Sequence, residues 1–125
     1  MAEGSDCYNV CERLQFKLHT MTLNTTPTYK VKPLPQFTAW LSGLKDGLTK
    51  RRLARRLEKV QCGNLGDVKP VGEGVWEMRE HFSPGWRMYY IQRGEVLIVM
   101  LGGGDKSTQQ ADIEAAIALS KNFKE

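Results

Sequence analysis

In the stretch VWEMREHF, Glu77, Arg79 and His81 alternate with Met78 and Glu80. Successive side chains of an extended strand point to opposite faces, so these three project the same way. Arg87 opens the next apolar run across the Ser83-Pro84-Gly85 turn, near the strand end that bears His81, and Lys106 follows the run after that. One sheet surface could therefore collect a carboxylate, an imidazole and three cations, the side chains needed to move a proton and to hold an anionic group. The plainer alternative is cross-strand ion pairing on a solvated face, such as Glu77 with Arg87. Other chemistries have less support. His19 and His81 are isolated and Cys7-x3-Cys11 lies in the N-terminal segment, so no metal is expected. Gly102-Gly103-Gly104 continues as GGGDKS after an antiparallel strand, whereas a phosphate loop ends in Gly-Lys-Ser/Thr at the entry to a crossover helix.

The elements that must position this cluster follow from periodicity. Tyr29 to Leu34 alternates like a half-exposed strand closed by Pro33 and Pro35. Phe37, Trp40, Leu41 and Leu44 form the stripe of a short helix that Gly47 is expected to end. Leu48 to Gln61 reads as a second helix, with Leu53, Leu57 and Val60 on one side and Arg51, Arg52, Arg55 and Lys59 opposite. The Gly/Asp/Pro-rich run from Asn64 to Gly74 reads as a long loop. Strands follow at Val75–Phe82, Trp86–Gln92 and Val96–Leu101, joined by links short enough to require antiparallel neighbours. After a break at the triple glycine, Ser107 and Gln110 form a capping-box pattern for a last helix that carries Ile113, Ala116, Ile117 and Leu119 inward. The expected class is α+β in the order β-α-α-β-β-β-α, a mostly antiparallel sheet with helices packed on one face.

A length of 125 residues allows one domain. Residues 1–27 lack a sustained period and read as an N-terminal extension and linker outside the fold, leaving 28–125 as the single domain. Met21 precedes the linker, so residues 1–20 are either a loosely attached extension or the product of an upstream start codon. With 41% hydrophobic and 26% charged residues, whole-chain disorder is excluded. The longest apolar run, Val96 to Leu101, is far short of the ~20 residues that span a bilayer, and the expected location is the cytoplasm with no membrane contact. Three cysteines, Cys7, Cys11 and Cys62, support no disulfide framework. The net charge of +4 is concentrated between Thr28 and Lys106, which favours nucleic acid, the ribosome or an acidic protein as partner, or else a merely soluble surface.

The runs LPQFTAWLSGLKD, RRLARRL, GNLGDVKPVGEGVWEMREHFSPGWRMYY and LGGGDKSTQQADI resemble the addiction-module killer proteins, the HigB-like branch of the RelE/ParE toxin superfamily. The resemblance covers about Tyr29 to Lys121, members usually begin near the position of Met21, and the family fold has the element order read from the pattern. It implies a bacterial type II toxin encoded beside a helix-turn-helix, HigA-like antitoxin. Such a toxin arrests growth by cleaving messenger RNA in the ribosomal A site, with no metal and no cofactor. By motif position, Arg87, Lys106 and Arg79 would contact the scissile phosphate. His81 would be the general acid or base, with Glu77 as an alternative base. The last helix lacks the tyrosine of the best-known members, and Asp112 stands near its place. Lys50, Arg51, Arg52, Arg55, Arg56 and Lys59 would meet ribosomal RNA phosphates, which position without reading sequence.

Two other readings remain open. The superfamily includes ParE-like toxins that poison DNA gyrase by protein binding. A non-catalytic RNA-binding module could instead use Trp76, Trp86, Tyr89 and Tyr90 as a stacking platform.

Overall fold

In a computed structural model, residues 28–123 are described. The extension and linker expected over 1–27 lie outside the described residues. Strand β1 (Lys30–Pro33) is followed by α1 (Pro35–Ser42) and α2 (Gly47–Gln61). Then come β2 (Val68–Gly72), β3 (Val75–Glu80), β4 (Trp86–Arg93) and β5 (Leu97–Asp105), a single 3-10 turn (Lys106–Thr108) and α3 (Gln109–Asn122). The sheet order is β1-β5-β4-β3-β2, with β1 parallel to β5 and the other neighbours antiparallel.

The α+β class is as expected, but four details differ. The Asn64–Gly74 run is not all loop, because Val68–Gly72 pairs with β3. Pro70 disguises it in sequence, and an edge strand tolerates proline because one of its sides has no ladder to feed. Gly47 begins α2 rather than ending α1. The Asp46 carboxylate accepts from Thr49 N at 3.3 Å and Thr49 Oγ1 at 2.7 Å, satisfying a first-turn amide.

The third difference is that helices cover both faces of the sheet, not one. Met78, Met88, Tyr90, Ile98 and Met100 point to the side where Phe37 of α1 and Leu53 and Val60 of α2 are buried. Val75, Tyr89, Ile91, Val99 and Leu101 point the other way, onto Ala116 of α3 with Ile113, Ile117 and Leu119 beside it. β4 and β5 therefore carry apolar side chains on consecutive residues, as a doubly covered sheet requires.

The triple glycine is strand, not a break. A bulge at Leu101 sets Gly102 opposite Tyr89, Gly103 opposite Met88 and Gly104 opposite Arg87. A Cβ on Gly103 would overlap the Trp40 ring, and one on Gly104 would overlap the Asp112 carboxylate. Glycine at these positions lets α1 close on one face and α3 on the other. Among the described residues no helix is long and apolar enough to cross a membrane.

Candidate functional site

Strand register assembles the site. Arg79 pairs with Arg87 and Arg87 with Gly104, while Arg79 N donates to Asp67 O at 3.0 Å. Asp67, Arg79, Arg87 and Gly104 thus form one row across the end of the sheet. The next row inward is Lys69, Glu77, Tyr89 and Gly102. Both rows lie on the face that α3 covers only in part.

The inner row is a buried polar cluster. Glu77, 1% exposed, accepts from Tyr89 Oη at 3.2 Å and from Gln109 Nε2 at 2.7 Å. Burial, and next the Glu77 charge, push the Tyr89 phenol well above its ordinary range. Arg87 Nε stands 3.8 Å from Glu77 Oε2, an ion pair beyond hydrogen-bond length. The Arg87 side chain is 8% exposed, and its Nε is buried with no hydrogen-bond partner among the described residues. Nη1 donates to Trp86 O at 3.2 Å. A Cβ placed on Gly85 would lie 3.9 Å from Arg87 Nη1 and 3.6 Å from Lys106 Cδ, so both cations flank the backbone at Gly85.

The outer part is a three-residue network at the sheet end. Asp67 Oδ1 accepts from Arg79 Nη2 at 2.9 Å, and Asp67 Oδ2 is 2.6 Å from His81 Nε2. The Arg79 hydrogen bond, then that of His81, lowers the Asp67 carboxyl to about 2, and Asp67 in turn raises Arg79. The His81 side chain is 69% exposed. Arg79 Nε is buried without a hydrogen-bond partner among the described residues, like that of Arg87.

Four of the five residues expected at the site, Arg79, His81, Arg87 and Lys106, gather at one sheet end. Glu77 lies beneath them, buried and already accepting two hydrogen bonds, so it supports the cluster rather than facing a ligand. Asp67, Tyr89, Gln109 and Asp112 are the additions. Asp112 Oδ2 accepts from Thr108 Oγ1 at 2.5 Å and rests against Gly104. Asp67 carried no sign of its role because its loop had no legible register.

The basic helix needs a correction too. Arg56 is buried, 7% exposed, and its guanidinium donates to Leu65 O, Asp67 O and Arg79 O and pairs with Glu80. It straps the loop bearing Asp67 to β3. A Cβ on Gly66, whose φ is +72°, would come within 2.9 Å of that guanidinium, which accounts for glycine there. Lys50 Nζ donates to Ser42 O at 3.0 Å, at the end of α1. Arg51, Arg52, Arg55 and Lys59 remain as the exposed row. On the sheet, Tyr89 and Tyr90 are buried, and burial pushes the Tyr90 phenol up to about 12, so no base can stack on either. No three His, Cys, Asp or Glu side chains of the described residues come together as a metal site would need.

Against known proteins, the family model for phage-derived Gp49-like proteins matches residues 39–124. A Haemophilus influenzae protein described as uncharacterized is 39% identical over 96 residues, 77% of this chain and 97% of its own length.

Proposed function

We propose, because the chain belongs to the phage-derived Gp49-like family, a toxin-like family related to addiction modules, that it is a HigB-like toxin cleaving messenger RNA on the ribosome. The observation that carries this reading is Arg87. A guanidinium that is 8% exposed, ion-paired with Glu77 and with a buried Nε that makes no hydrogen bond among the described residues, stands beside Lys106 as a donor for an anionic group.

In the proposed reaction the 2′-oxygen of the RNA attacks the adjacent phosphorus while the bond to the 5′-oxygen of the next nucleotide breaks. A cyclic phosphate and a free hydroxyl result. Arg79 and Arg87, neighbours on adjacent strands, bracket the phosphate, and Lys106 adds the third charge as the anion builds up. The counter-charges, Asp67 for Arg79 and Glu77 for Arg87, hold both guanidinium groups in place before substrate arrives. Asp67 engages His81 through Nε2 and orients the ring, so proton exchange with the RNA falls to Nδ1. Arg51, in the exposed row of α2, supplies a phosphate contact to ribosomal RNA. The partners on this reading are the ribosome, messenger RNA and a HigA-like antitoxin, all met in the cytoplasm.

Single-turnover cleavage on programmed ribosomes tests this, with circular dichroism as the folding control. Arg87→Lys keeps the charge but loses the fork, and the rate should fall about 10²–10³-fold; His81→Ala should cost about 10²–10⁴. Folded variants that cut at the wild-type rate refute the site. A wild type that halts growth without ever cutting points instead to gyrase poisoning.

A further inference from the structure

On the opposite side of β3, Arg52, Arg55, Arg56 and Lys59 of α2 enclose a concavity of about 290 Å³ with Glu80 and Phe82. Its volume lies just below the range of ~300–1,000 Å³ usual for small-ligand sites. Arg56 and Glu80 neutralise each other in its floor. Arg52 and Lys59 leave its rim positive. The Arg52 guanidinium lies over the Phe82 ring at 4.7 Å, a charged plane backed by an aromatic one. Phe82 directly follows His81, so one step along the chain separates a lining residue of this concavity from the phosphate site.

We infer that this concavity binds one nucleotide of single-stranded RNA, its base resting on the Arg52 guanidinium that Phe82 backs and its phosphate held by Lys59. Cations alone would suit an acidic peptide equally. The Arg52–Phe82 pair favours a base, because unstacked bases lie on arginine planes and aromatic rings. A base inside a duplex cannot reach such a platform. The inference deepens the reading above, since a strand whose scissile phosphate sits at Arg87 and Lys106 crosses the sheet end past His81 and meets Phe82 next.

The test is fluorescence anisotropy of the full chain with a labelled six-nucleotide oligoadenylate RNA, without ribosomes, so that binding is read apart from cleavage. Phe82→Leu keeps the contact with the core but removes the ring, and Arg52→Gln removes the plane. Each should raise Kd about five- to a hundredfold, the usual range for losing one base stack. Lys45→Gln, which removes one charge outside the concavity, should change Kd less than twofold. Wild-type Kd in both Phe82→Leu and Arg52→Gln, an equal loss in Lys45→Gln, or equally tight binding of a duplex or a polyglutamate peptide would each overturn the inference. Should the oligonucleotide bind in this way while programmed ribosomes are never cut, the cleavage reading fails and the nucleotide site stands.

Discussion

Replacing Arg56 by methionine preserves an unbranched apolar stem and deletes every donor of the guanidinium. The wild-type group makes five hydrogen bonds, at 3.3 and 2.9 Å to Leu65 O, 2.8 Å to Asp67 O, 2.8 Å to Arg79 O and 2.5 Å to Glu80 Oε2. Asp67 O retains the Arg79 amide, so the acceptors left bare are Leu65 O, Arg79 O and Glu80. A buried acceptor without a donor costs about 1–3 kcal/mol. The Glu80 side chain is 24% exposed and regains some water, which places its share at the low end. The sum is about 3–7 kcal/mol, overlapping the ~3–5 kcal/mol for breaking a buried pair by removing one partner and a large fraction of the ~5–15 kcal/mol that holds a domain folded. Arg56→Lys, whose compact ammonium cannot span three carbonyls, should lose about half as much. Urea unfolding with an unchanged m value reads both. A loss below about 1 kcal/mol in Arg56→Met would refute the claim that this guanidinium straps the Asp67 loop to β3.

Two further predictions concern the site. The Asp67 carboxyl, lowered to about 2 in the fold from its ordinary 3.8, contributes stability that is present above about pH 4 and lost as the pH falls toward 2. The thermal midpoints of the wild type and Asp67→Asn, separated at pH 6, should therefore converge near pH 2; curves that stay parallel from pH 2 to pH 6 would show that the network is absent in solution. Gly104→Ala forces a methyl group into the Asp112 carboxylate, an overpacking that should cost about 1–3 kcal/mol. Adding Asp112→Ala should restore most of that stability, and simple additivity of the two losses in urea unfolding would contradict the close contact.

The core of α2 and the sheet at β3 and β4 were legible because their apolar periods are long and their turns short. So was the convergence of Arg79, His81, Arg87 and Lys106, which needs only strand alternation and tight connections. The second covered face was also written in the sequence, in the unbroken runs Met88 to Ile91 and Ile98 to Leu101, but helix patterning marks an apolar side without saying which sheet face receives it. The triple glycine misled because its reason is tertiary: Trp40 and Asp112 approach from distant helices. Arg56 looked like its neighbours Arg52 and Arg55 because helical spacing cannot reveal that Leu65, Asp67 and Arg79 turn three carbonyls toward one position.

The parallel pairing of β1 with β5 joins Lys30 to Leu97, whereas β2 through β5 form a chain of neighbours linked by short turns. Closing the longer loop costs more chain entropy, and non-local parallel contacts form late. The meander is therefore expected to assemble first and present a bare β5 edge for β1 to join. Hydrogen exchange should then protect the amides of Tyr89 to Ile91 to the level of global unfolding, while the four-residue edge strand at Lys30–Pro33 opens locally and exchanges sooner.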